Sequence, residues 1–152
     1  MTRILETRTE IDAPPDRVWA ALTDFAAYPE WNPFIPRLEG SATSGSRLRV
    51  TIRPPGSRAM TLRPRVTISE PDRHFAWLGH LGLPRVFDGE HEFILEPNGR
   101  GGTSFTQRET FRGLLVPFVG KVLERTRRGF EAMNQSLATR MGRPATGSGA
   151  RS

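Results

Sequence analysis

From Leu48 to Phe111 the apolar residues fall on alternate positions, and beyond Pro117 they stop doing so. This change of period constrains the fold more than anything else in the chain. Leu48, Val50 and Ile52 alternate with arginines and Thr51. Met60, Leu62, Val66 and Ile68 keep the period of two, with Pro64 predicting an edge or a bulge inside the run. Phe75, Trp77, Gly79 and Leu81 follow, then Phe87, Gly89, His91, Phe93 and Leu95, then Phe105, Gln107, Glu109 and Phe111. Such alternation marks strands with one face buried. The turns between them, PPGS at 54–57, EPDR at 70–73 and PNGRGG at 97–102, are short enough to predict an antiparallel meander.

Past Pro117 the apolar residues Val119, Val122, Thr126, Phe130, Met133 and Leu137 recur every three or four positions. Lys121, Glu124, Arg128, Glu131 and Gln135 fall mostly opposite them. The spacing predicts one amphipathic helix over 117–141, about 36 Å long. One long helix and a sheet must share a core, which places the chain in the α+β class as a single domain over 1–141. A curved sheet and a helix need not touch everywhere, and the space between them is a natural cavity. Residues 142–152, GRPATGSGARS, read as a flexible tail.

The beginning of the chain predicts a strand over Ile4–Ile11, with Leu5, Thr7, Thr9 and Ile11 on one face. A short helix follows, with Pro14 or Pro15 in its first turn, Asp16 near its positive end and Val18, Trp19, Leu22 and Phe25 as its apolar stripe. Asp24 is placed to cap a second brief turn. Residues 28–35, YPEWNPFI, hold Trp31 and Phe34 but are punctuated by Pro29, Pro33 and then Pro36, a density that predicts an irregular segment. A solvated loop gains nothing from such side chains. The segment either plugs the end of the core or lines a pocket.

The order β–α–α–six β–α, carried by IDAPPDRVWAALTDFAAYPEWNPFI at 11–35, GEHEFILEP at 89–97, ETFRGLLVP at 109–117 and GFEAMNQSLA at 129–138, resembles the START/Bet v1-like (SRPBCC) superfamily and, within it, the polyketide cyclase/dehydrase-like group. The resemblance implies the helix-grip fold, a seven-stranded curved antiparallel sheet wrapped around the C-terminal helix, with two short helices after the first strand. It implies a small-molecule binding protein that holds a hydrophobic ligand in the cavity. The alternatives are an aromatase/cyclase-type enzyme using the same cavity, and an interaction module like the chaperone co-activators of the superfamily. In this resemblance YPEWNPFI closes one end of the cavity.

The net charge of +6 raises nucleic acid or an anionic surface as partners. The arginines are scattered, however, and Glu124 and Glu131 interrupt the densest basic group, so no nucleic acid is expected. No apolar run is long enough to span a membrane, so no stable membrane insertion is expected either. The chain has no cysteine, which excludes disulfides and thiolate chemistry, and no apolar leader is evident near Met1. Together these predict a cytoplasmic protein. The three histidines lack a metal-ligand spacing, no phosphate loop is present, and no metal or other cofactor is expected.

His91 is the residue of chemical interest. It shares the inward parity of Phe93, and Gln107 and Glu109 share that of Phe105 and Phe111. A hairpin pairing 97 with 103 sets His91 opposite Glu109; a slip of two residues would set it opposite Gln107. A His–Glu pair in an apolar cavity can be a structural hydrogen bond, can orient a ligand, or can act as a general base. The expected cavity walls are Trp31, Phe34, Trp77, Phe93, Phe105, Phe130 and Met133, with Gln107 and Asn134 as further ligand contacts. His74 and His80 are expected to face water.

Overall fold

The computed structural model describes residues 1–80 and 85–142. Strand β1 (Thr2–Ile11) leads into α1 (Pro15–Thr23), a single 3-10 turn at Phe25–Ala27 and α2 (Tyr28–Trp31). Seven strands follow: β2 (Arg37–Glu39), β3 (Arg49–Ile52), β4 (Met60–Leu62), β5 (Arg65–Glu70), β6 (His74–His80), β7 (Asp88–Pro97) and β8 (Thr103–Arg112). A 3-10 turn at Val116–Phe118 precedes α3 (Gly120–Gly142).

The strands form two antiparallel sheets, β1-β8-β7-β6-β5 and β2-β3-β4, rather than one sheet of seven. Pro64 is the reason. It has no N–H for a ladder, so the run from Met60 to Ile68 breaks into β4 and β5, each in a different sheet. The sheets are still stitched together. Leu48 N–H donates to the Pro64 carbonyl at 2.8 Å, and Val66 exchanges backbone hydrogen bonds with Gly45 and Ser46, also at 2.8 Å. A shift of register between Val66 and Ile68 adds curvature beside this seam. The result is a curved antiparallel surface around one long helix.

Helix α3 starts three residues later than its apolar spacing predicts, because Val119 leaves the helical conformation after the 3-10 turn. Its buried face is Leu123, Thr126, Gly129, Phe130, Met133, Asn134 and Leu137, while Val122 is half exposed. The predicted irregular stretch around Pro29 contains one helical turn. Pro29 sits in the first turn of α2, where a missing N–H costs nothing. Asn32 then ends the turn, its Oδ1 accepting from the amides of Phe34 (3.1 Å) and Ile35 (2.8 Å). Tyr28 is fully buried and its hydroxyl donates to the Leu22 carbonyl at 2.5 Å. Burial, with the nearby charge of Asp24, pushes its phenol far above the usual value, so it stays a donor.

Leu81 and the expected tail beyond Gly142 lie outside the described residues. Among the described residues no helix is long and apolar enough to cross a membrane.

Candidate functional site

The β7–β8 hairpin positions the central polar group. Its turn is held by Asn98, whose Oδ1 accepts from the amides of Arg100 (2.9 Å) and Gly102 (3.1 Å), with Gly99 and Gly101 both at positive φ. Pro97 pairs with Thr103 and the ladder runs without a slip to Asp88 and Arg112. His91 therefore stands opposite Glu109, and Phe93 opposite Gln107.

His91 is 3% exposed, a value that obliges both ring nitrogens to find partners inside the protein. Nδ1 lies 2.7 Å from Glu109 Oε1 and Nε2 lies 3.0 Å from Gln107 Oε1. So Gln107 contacts the ring together with Glu109, not in place of it. Gln107 Nε2 donates onward to Asn134 Oδ1 of α3 at 2.7 Å, and Asn134 Nδ2 to Thr7 Oγ1 of β1 at 2.9 Å. One buried polar chain thus runs from β8 through β7, back to β8, across to α3 and into β1. Trp77 stacks on the imidazole at 5.1 Å, and Phe130 meets it edge-on at 4.9 Å.

A cavity of about 120 Å³ opens beside this chain. Glu109, His91, Trp77 and Phe87 border it from the five-stranded sheet, Val50, Ile52, Met60 and Leu62 from the smaller one, Phe34 and Ile35 from the loop after α2, and Val122 and Thr126 from α3. Its lining is apolar apart from a few side chains. Thr126 spends its hydroxyl on the Val122 carbonyl at 2.8 Å, and His80 turns to Asp88 at 2.7 Å. Met60 and Val122 are half exposed and mark the outer rim.

Of the residues singled out from the sequence, His91, Glu109, Phe34 and Trp77 border this cavity. Phe93, Phe105, Phe130 and Met133 do not border it; all four are fully buried and fill the core beneath. Gln107 and Asn134 lie in the buried polar chain, away from the cavity surface. Trp31 is elsewhere. It packs on Tyr28 at 5.2 Å and borders a shallow surface depression with Ser136 and Arg140, and the Ser136 hydroxyl donates to its carbonyl. His80 is exposed, whereas His74 is half-buried and bonds Glu92 at 3.0 Å instead of facing water, because the adjacent strand brings that carboxylate to it.

The residues that sequence reasoning passed over are the small and mid-sized ones, Gly89 above all. Gly89 sits at inward parity on β7, and a Cβ there would lie 2.5 Å from Glu109 Oε2. A glycine inside an alternating strand is itself a sign of close approach.

A curved antiparallel sheet closed around one long C-terminal helix, with an apolar cavity between them, defines a helix-grip protein. The chain belongs to the family described as polyketide cyclase / dehydrase and lipid transport, whose pattern matches residues 2–142. Among solved structures it is similar to the aromatase/cyclase Zhui from a Streptomyces species, with TM-score 0.72 and 18% identity over 93% of this chain and 94% of that one. It is also similar to a START superfamily protein from Mycobacterium smegmatis, with TM-score 0.72 and 22% identity over 91% and 96% of the two chains. A norcoclaurine synthase point mutant from Thalictrum flavum, in complex with a transition-state analogue, gives TM-score 0.69 and 16% identity over 93% and 94%. At these identities the likeness is one of fold alone. No curated protein matches the chain by sequence.

Proposed function

We propose that the protein binds a small, largely apolar molecule in the cavity between the sheet and α3, with Glu109 and His91 as its polar contact. The observation that carries this reading is an apolar space of about 120 Å³ into which a half-buried carboxylate is turned. An apolar cavity of about 150 Å³ takes a benzene ring, so one ring or a short branched chain is the size of group that enters; a larger ligand would extend out past Met60 and Val122. The Glu109–His91 pair also supports the second reading, an aromatase/cyclase-type enzyme, since the pair can exchange a proton with a bound carbonyl compound. Binding is favoured over turnover because few polar groups converge on the space.

The test is an NMR titration of the labelled protein with small aromatic solutes such as toluene and phenol. Shifts should centre on the Trp77 indole, Gly89 and Val122, and Thr126→Phe should abolish them. No shift with any solute, or shifts that persist in a folded Thr126→Phe variant, would overturn the reading.

A further inference from the structure

The polar chain behind the cavity decides what kind of ligand group Glu109 can accept. The Phe130 backbone carbonyl lies 3.4 Å from Gln107 Nε2. A carbonyl only accepts, so the Gln107 amide must turn its NH₂ toward Phe130 and Asn134, which leaves its oxygen facing His91. His91 Nε2 therefore carries a proton and donates it to Gln107. A second proton must lie in the 2.7 Å contact between His91 Nδ1 and Glu109 Oε1, since two lone pairs would repel there. On nitrogen it makes an imidazolium–carboxylate pair. On oxygen it makes a neutral imidazole and a carboxylic acid. The two side chains sum to no net charge in both cases, and in both cases Oε2 is an acceptor.

No described residue donates to Oε2. It is the carboxyl oxygen at the cavity; Thr126, whose hydroxyl gives its proton to the Val122 carbonyl, offers a ligand only a neutral and weaker acceptor. The absent side chain of Gly89 leaves room for it to point there. A ligand that brought no donor would dry out this oxygen without compensation. A ligand that brought a cation would carry an unbalanced charge into an apolar space beside a pair already neutral.

Resting on the cavity reading above, we propose that Glu109 Oε2 anchors a neutral hydroxyl donor, an alcohol or a phenol, on an otherwise apolar ligand. Gln107 and Asn134 act as positioning residues by fixing the direction of the chain.

Dissociation constants for toluene, phenol and benzylamine at neutral pH test this. Phenol should bind about tenfold tighter than toluene, the scale of one hydrogen bond to a strong acceptor, and the benzylammonium ion should bind more weakly than either. Glu109→Gln keeps an oxygen that can face the cavity and should keep the preference for phenol. Glu109→Leu should bring the affinities for phenol and toluene together, the ratio of the two being the readout whatever the change in toluene binding itself. Gly89→Ala, which crowds Oε2 without changing the carboxylate, should also remove it, so the outcome does not depend on Glu109→Leu folding. Equal affinity for phenol and toluene in the wild type overturns the hydroxyl anchor while leaving the cavity reading intact. Tighter binding of benzylammonium overturns the neutral-donor assignment. Binding of none of the three overturns the anchor and the cavity reading together.

Discussion

The ring of Phe34 rests on the backbone of α3 at Gly129, in the place a side chain would take. It also meets Phe130 edge-on at 5.6 Å. This contact explains the apolar side chains in a proline-punctuated loop. Phe34 fastens the loop to the helix, and α3 carries a glycine in mid-span to receive it. Gly129→Ala should therefore destabilise the protein by about 1–2 kcal/mol, because the overpacking outweighs the gain of roughly 1 kcal/mol that alanine brings to a helix interior. Urea unfolding of Gly129→Ala, Phe34→Leu and the double variant should show strong non-additivity, with the alanine tolerated once the ring is gone.

Tyr28 makes a second link at the same end of the molecule. Its hydroxyl donates to the Leu22 carbonyl at 2.5 Å where neither group meets water. Tyr28→Phe should cost about 1–2 kcal/mol, since the carbonyl of Leu22 is then buried without a donor. A loss near zero in chemical denaturation would mean that the carbonyl finds another partner.

Much of this was legible in the sequence for a physical reason. The side-chain period of a strand is two, so parity along β7 and β8, with five residues between Pro97 and Thr103, is enough to pair His91 with Glu109. Parity is silent on contacts between sheet and helix. The links from Gln107 to Asn134 and on to Thr7 join residues 27 and 127 positions apart, and no local pattern encodes them. The space between sheet and helix lies where the sequence places it, but several of the expected wall residues are in the core beneath it, for a related reason. Inward aromatic residues such as Phe93, Phe105 and Phe130 are large enough to fill the core, while Gly89, Val50 and Thr126 leave room among the larger side chains of Phe34, Trp77 and Phe87. The sheet count differed because Pro64 marks a boundary between two sheets, which a period of two running through it conceals.

Asp88, beside the rim of the cavity, gives a pH prediction. Its hydrogen bond with His80, aided by the backbone amide of Arg85, holds its carboxyl below the ordinary aspartate value despite some desolvation. A folded-state value below the unfolded one means stability that is present above the ordinary aspartate value and lost as pH falls through the lower folded value. Wild type and Asp88→Asn should therefore differ in stability at neutral pH and converge in strong acid. Melting curves across that range, with the carboxyl resonance followed by NMR, check the sign. A difference that grew on acidification would refute the assignment.

The buried chain around His91 gives the last prediction, a ranking of two variants. Glu109→Ala removes the partner of His91 Nδ1 at the edge of the cavity, where water can enter and satisfy the ring. Gln107→Leu removes the link behind it, where His91 Nε2 and Asn134 Oδ1 are both left short of a partner in a region closed to water. Each stranded group costs about 1–3 kcal/mol, so Gln107→Leu should lose roughly 2–5 kcal/mol and Glu109→Ala only about 1 kcal/mol. Binding should rank the other way. Glu109→Ala should lose the discrimination between phenol and toluene outright, while any folded Gln107→Leu retains part of it, because Glu109 still reaches the cavity. Urea unfolding and solute titration on the same two proteins give both rankings. If Glu109→Ala proved the more destabilising of the pair, Glu109 would be part of the structural core and its role as a ligand anchor would fall.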